Sequence, residues 1–305
     1  MKYFLTLALT LAAATLQGCA TVAVERAKDL STAAIQYSQT TVAVIDVAID
    51  AMIDADSIGL VRFKPRTPVT VDAERDSRAA DLEKLDAELA TSVSLYTSLK
   101  HSVNTIKAYF IALQELANGS QAEATGEAVK ALGERVNSIN QALAANSKVP
   151  ALSAGQIAAL GGLAKVVAAQ VHGAKVAKAL ERDAAIIGRA LVLQQRVLKL
   201  AGDDIRLNLN KANNIFFADR VRNPFEKGDI GAGWINDRRA YLKVRALGQT
   251  DTVVNSAEAA AGQMQTVWER ILSGEYSARE ITAMLKDTED LLDAVNTLKD
   301  ASKSK

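Results

Sequence analysis

Between Ala73 and Ala117 the chain runs for 45 residues without a glycine or a proline, and its apolar residues recur every three or four positions. Leu82, Leu85, Leu89, Tyr96, Leu99, Val103, Ile106, Phe110 and Leu113 fall on one heptad seam, with Ser92 as its one polar member. Only a helix gathers residues at that spacing onto one face. At about 1.5 Å per residue the stretch predicts a rod of about 65 Å. Such a rod carries an apolar stripe that it cannot bury on itself, so it must pack against other helices.

The same demand recurs along the chain. Its four prolines fall in polar or glycine-containing breaks, at Pro65 and Pro68, at Pro150 and at Pro224, where a helix is expected to end. A first helix is predicted over about 22–57, with Val42, Ile45, Ile49, Met52 and Ile53 on its stripe. Asn118-Gly119 ends the second helix, and Ser120 with Glu123 has capping-box spacing. Val129, Leu132, Val136, Ile139 and Leu143 carry a third helix to about Ser147. Beyond Pro150, Ser153 with Gln156 and Leu152 with Ile157 have the spacing of a capping box and a hydrophobic staple.

From there a seam continues through Leu160, Leu163, Val167, Ala174 and Ala177. It resumes at Leu180, Ala184, Ile187, Leu191, Leu198, Ile205, Ala212 and Phe216, with a three-residue stammer between Ala177 and Leu180. Unless Gly202 interrupts it, this helix approaches about 65 residues. A return helix or pair follows over about 236–272, closed by Gly274. Tyr276-Ser277-x-x-Glu280-Ile281 then starts a last helix to about Leu298, with a solvated tail. Strong helix formers and few aromatics agree with this reading. The expected fold is all-α: an elongated antiparallel helical bundle with long coiled-coil-like helices, taking residues 19–305 as one domain with a subdivision admitted near Pro150.

The first eighteen residues read differently. Lys2 is followed by an uncharged apolar run from Phe4 to Leu16, about 20 Å as a helix and short of the roughly 30 Å hydrocarbon core. That is the pattern of a signal peptide rather than a permanent span. It ends in Leu16-Gln17-Gly18-Cys19, and Cys19 is the sole cysteine of the chain. These residues resemble the lipobox of bacterial lipoproteins. The resemblance implies diacylglycerol on the Cys19 thiol, cleavage before Cys19 and acylation of the new amine. Two or more acyl chains hold a protein stably on a bilayer. Ala20 follows Cys19, where an Asp would resemble an inner-membrane retention signal, so the resemblance implies the periplasmic face of the outer membrane.

Several function classes fall away. The charges nearly cancel, 36 Lys and Arg against 35 Asp and Glu, which removes the global field that bulk nucleic-acid binding needs. One cysteine forbids an intrachain disulfide, so the 287 residues from Cys19 onward must be held by burial. His101 and His172 have no second ligand at metal spacing, so no metal and no cofactor are expected. No nucleophile elbow or phosphate loop is present, and no catalytic residue or small-molecule substrate is evident.

Three constellations remain. Asp46, Asp50 and Asp54 share a drifting helix face, with Asp56 beside them. They could meet a basic partner or hold Ca²⁺ weakly, although a straight helix cannot wrap that ion; a solvated face or intrabundle salt bridges is the reading the pattern favours. Over 214–245, Phe216, Phe217, Phe225, Trp234 and Tyr241 are interleaved with seven basic and four acidic residues. Phe225, Trp234, Arg238, Arg239 and Tyr241 are the candidate partner-binding residues there, suited to anionic headgroups, glycan or a protein. The alternative is that the aromatics plug the end of the bundle. Finally, 157–171 is rich in small residues, which suits a tight helix contact, and with Lys165 inside it is too short to span a bilayer unaided.

The expectation is therefore a non-enzymatic protein, anchored through acyl chains on Cys19, that binds or scaffolds an envelope protein. A periplasmic immunity protein or a membrane-inserting helical effector is the alternative left open.

Overall fold

The computed structural model of the protein describes residues 2–63, 71–119, 123–145, 171–228, 230–246, 249–273, 275 and 277–303. Within them, the side chains of 2–23, 63, 139–140, 142–145, 171–174, 243–246, 249–250 and 301–303 lie outside the description. Every element among the described residues is helical. They are α1 (Lys2–Phe63), α2 (Asp72–Ala117), α3 (Glu123–Ala145), α4 (Val171–Phe216), a π-helical turn (Phe217–Arg222), α5 (Asn223–Lys227), α6 (Trp234–Ala246), α7 (Gln249–Ser273) and α8 (Ala278–Lys303). The protein is an all-α helical bundle.

Two compact units are interleaved along the chain. Unit 1 takes Met1–Val42, His101–Arg196 and Glu258–Glu289, and unit 2 takes Ala43–Lys100, Val197–Ala257 and Asp290–Lys305. The helices α1, α2, α4, α7 and α8 each contribute to both. Pro150 falls by sequence inside unit 1, among residues outside the description.

In unit 1, Leu30, Ala34 and Tyr37 of α1 and Ile106, Phe110 and Leu113 of α2 are buried. Leu132 of α3, Ile187 and Leu191 of α4 and Trp268 of α7 are buried as well. The Phe110 ring meets Tyr109 and Trp268 edge-on, at centroid distances of 5.3 and 6.1 Å, the arrangement that aromatic quadrupoles favour. Polar side chains tie the same helices together. Gln114 Nε2 donates to Thr32 Oγ1 at 2.9 Å, and Gln265 Nε2 to Gln195 Oε1 at 2.8 Å. Gln194 Nε2 donates to Thr41 Oγ1 at 3.1 Å, and that hydroxyl in turn donates to Tyr37 O at 2.8 Å.

In unit 2 the core is Ile45, Ala48 and Ala55 of α1, Tyr96 and Leu99 of α2, Leu198 and Ile205 of α4, Val253 of α7 and Leu291 and Val295 of α8. Asp46 accepts from Lys100 Nζ at 2.7 Å, which pairs α1 with α2. Within unit 2, α7 runs against α4, since Gly202 meets Val254 while Arg206 meets Asp251. By contrast α1 and α4 run the same way, with Gly59 near Lys211 and Arg62 near Asp219.

Gly202 does not interrupt α4. A Cβ there would stand 3.0 Å from Val254 Cγ2, so the glycine serves the close approach of α7. The expected end at Asn118-Gly119 is present: Gly119 has φ 103°, and its N–H donates to Leu116 O at 3.1 Å. The expected start at Ser277 is present too, with the Ser277 N–H donating to Glu280 Oε2 at 3.2 Å, one leg of a capping box.

Three expectations differ from the structure, and four fall outside the described residues. The first helix begins at Lys2 and ends at Phe63, beyond both expected limits. The last helix runs to Lys303 rather than Leu298, because the tail residues 299–303 contain no breaker. The seam of α2 is buried only from Tyr96 onward; Leu82 is 47% exposed and Leu85 and Leu89 are half-buried. The starts at Ser120 and Ser153 lie outside the described residues, as do the small-residue stretch 157–170 and the closing Gly274.

Three buried tyrosines make the fold sensitive to alkali. Burial raises Tyr37, Tyr96 and Tyr109 above the usual phenol range, and the Asp204 carboxylate that accepts from Tyr96 at 2.7 Å adds to the rise there. Each raised group contributes stability that is whole below about pH 10, the unfolded value, and is lost as pH climbs beyond it. Thermal melts should therefore fall progressively above about pH 10. In a rapid jump to that range, the absorbance of at least these three phenolates should appear only as the protein unfolds, as stopped-flow absorbance near the tyrosinate band would check.

Candidate functional site

The aromatic and basic segment is built on the end of α4. Pro224 has no N–H to give and its ring crowds the carbonyl four residues back, so an ordinary helix is expected to stop before it. Instead the chain widens into the π-turn, and the Asn223 N–H, just ahead of the proline, donates to Ala218 O, five residues back. Helix then continues as α5 with Pro224 in its first turn, where the missing donor costs little. Gly228, at φ 69°, caps it in the left-handed conformation. The expected break at Pro224 is thus displaced to Gly228.

Beyond this cap, α6 returns the chain to the π-turn. Trp234 Nε1 donates to Val221 O at 2.9 Å. Its ring stacks on Phe225 with centroids 5.7 Å apart and planes 23° from parallel. The Arg238 guanidinium lies 6.0 Å from the Trp234 centroid, at the limit of a cation–π contact. Phe217 and Tyr241 form a second stack at 4.5 Å.

The structure therefore brings Phe225, Trp234 and Arg238 together and sets Tyr241 in a neighbouring stack. Arg239 is exposed, and no carboxylate among the described residues pairs with it. Phe225 is 61% exposed and Ile235 is 63% exposed, so these side chains do not plug a core. Arg222, 3.7 Å from Glu226, is the local ion pair on α5.

The acidic face of α1 is less distinctive. Asp46 is taken by Lys100 of α2, an ion pair within the bundle. Among the described residues no three His, Cys, Asp or Glu side chains gather where they could hold a metal ion. His101 is exposed, and the side chains of His172 and Cys19 lie outside the description. Among the described residues no helix is long and apolar enough to cross a membrane.

One polar cluster escaped the sequence. Asp183 of α4 is fully buried in unit 1 and is clasped by its neighbour Arg182, with Nε to Oδ1 at 2.6 Å and Nη2 to Oδ2 at 2.8 Å. Arg182 Nη2 also reaches Thr125 Oγ1 at 3.5 Å, bringing α3 to the pair. After burial, the charge of Asp183 is the chief reason that Tyr109 resists ionisation, although no hydrogen bond of ordinary geometry reaches the Tyr109 hydroxyl. Spacing alone gave a weak signal, since Asp183 sits beside the seam residue Ala184.

No family model, no curated protein and no solved structure matches the chain.

Arg182 keeps the Asp183 carboxylate from being buried without a partner. Arg182→Met should cost about 3 kcal/mol, the penalty for stranding a buried charge. Arg182→Met combined with Asp183→Leu should recover much of that loss. Urea melts of the two variants would check the order.

Proposed function

We propose that this is a non-enzymatic lipoprotein of the periplasmic face of the outer membrane, anchored by acyl chains on Cys19, that binds or scaffolds a partner protein through unit 2. Cys19 and the residues before it support the anchor, on their resemblance to a lipobox. What supports the binding role is an imbalance in surface chemistry. Among the described residues, ten of the eleven exposed large hydrophobic side chains belong to unit 2, and Ile111 alone belongs to unit 1. Apolar side chains left in water mark an interaction surface where they lie together, and here Phe225 lies against Trp234 with Ile235 next to it in the chain.

Within unit 2, the stack of Phe225 and Trp234 with Arg238 has the composition of an interface hot spot, where aromatics and arginine are enriched. Ile235 and Leu242 lie seven residues apart on α6, so their exposed side chains share one face beside it. A partner offering an apolar groove with carboxylates at its rim would cover both chemistries.

Two outcomes are expected. Cys19→Ala should abolish acylation and leave the leader uncleaved, and mass spectrometry of the amino-terminal peptide reads this directly; an acylated, processed product from that variant would end the anchor reading. A photo-crosslinking residue at Ile235 should give a discrete adduct in intact envelopes. Trp234→Ala with Arg238→Ala should lower that adduct by roughly tenfold while the helical circular dichroism is unchanged; an adduct of full intensity would remove α6 from the interface.

A further inference from the structure

Beside the π-turn lies a cleft that the stack of Phe225, Trp234 and Arg238 does not line. It lies within unit 2 and has a volume of about 730 Å³. Its apolar wall comes from Ile58 and Val61 of α1, both exposed, and from Ile215 and Phe216 at the end of α4. Its polar lining includes three cations, Arg62, Arg220 and Lys227, against the single carboxylate of Asp219.

These charges are not balanced locally. Asp219 is held 3.7 Å from Arg62. Arg220 and Lys227 are exposed, and among the described residues neither has a carboxylate within salt-bridge distance. Among the described residues, two cations thus line a half-apolar cleft with no carboxylate paired to them. The volume lies within the roughly 300–1,000 Å³ of small-molecule sites, and is too small for a folded partner. Single π-turns inserted in helices occur often at functional sites, because they displace side chains from the regular helical face. Here the turn carries Asp219 and Arg220 to the cleft.

We propose that this cleft binds a small anionic amphiphile, an alkyl chain ending in a carboxylate or a phosphate. The chain lies along Ile58, Val61, Ile215 and Phe216, and the anion sits between Arg220 and Lys227. Arginine offers a carboxylate or phosphate two parallel donors, and lysine adds a point charge. A free fatty acid and the headgroup end of a lipid both present this chemistry. The proposal rests on unit 2 alone and does not depend on Cys19 being acylated.

The test uses the purified full chain and isothermal titration with octanoate, octyl phosphate, octanol, octyltrimethylammonium and inorganic phosphate. Octanoate and octyl phosphate should bind at least roughly tenfold more tightly than octanol, with no binding of octyltrimethylammonium. Preference for octanoate identifies the free acid as the source of the ligand, and preference for octyl phosphate identifies the headgroup. Arg220→Gln with Lys227→Gln should reduce anion affinity by at least roughly tenfold at unchanged circular dichroism. Ile58→Trp, which adds bulk to an exposed side chain of the wall, should block the alkyl anions.

Equal binding of octanol and octanoate would overturn the proposal. So would an anion affinity that survives loss of both cations, or inorganic phosphate binding as tightly as octyl phosphate. Because these titrations read unit 2 while acylation is read by mass spectrometry, either reading can fail without the other.

Discussion

Side-to-side burial of helix stripes is the interaction on which this protein depends. With one cysteine, no disulfide can cross-link the chain, and no metal site among the described residues does so. The stripe of α4 shows how the load is carried. Val176, Leu180, Ile187 and Leu191 are buried in unit 1, and Leu198, Ile205 and Ile215 in unit 2. Each fully buried side chain of this size contributes about 1.5–3 kcal/mol, set against the entropy of ordering the chain. A polar substitution anywhere on that stripe is therefore felt in whichever unit it falls.

Burial of this kind is non-directional, so something else must fix which residue faces which. Directional contacts do that here. Tyr96 donating to Asp204 locks α2 against α4 in unit 2, and Gln194 with Thr41 locks α4 against α1 in unit 1. A slip by one residue would turn each of these groups away from its partner and strand it in an apolar interior. Unit 1 pays for its polar interior in part: Ser31 Oγ, Ser38 Oγ, Gln194 Oε1 and Trp268 Nε1 are buried without a partner among the described residues. Orphans of this kind are costly, and every one of them lies in unit 1.

What the sequence made legible was the property that each helix carries in itself. The limits of α2, the passage of α4 through Gly202 and the start at Ser277 all follow from spacing and terminal residues within one segment. What stayed hidden depends on neighbours. Leu82, Leu85 and Leu89 have the spacing of Leu99, Ile106 and Leu113, yet Leu82 is exposed. Periodicity says which face is apolar and not whether a second helix reaches it. Asp183 is the converse case, a charged residue beside the seam, with α2 bringing Tyr109 to it and α3 bringing Thr125 to its partner Arg182. In the candidate site, the aromatic and basic composition was visible, but its stacking was not. Residues 225, 234 and 238 meet only because the helix survives the proline.

That survival changes what the segment can do. A glycine-rich loop after a proline break would leave Phe225 and Trp234 free to sample many arrangements, and a partner would have to order them on binding. Here α5 continues from α4 through the π-turn, so the position of Phe225 follows from the position of a helix anchored by Ile205 and Ile215. The hydrogen bond from Trp234 Nε1 to Val221 O then fastens the start of α6 to the same turn. The two rings are stacked before any partner arrives, which spares part of the entropy that exposed side chains otherwise lose. The π-turn that makes this possible also carries Asp219 and Arg220, which line the cleft with Lys227. One accommodation to Pro224 thus sets both surfaces, and a change that straightened the turn into regular α-helix would disturb the stack and the cleft together.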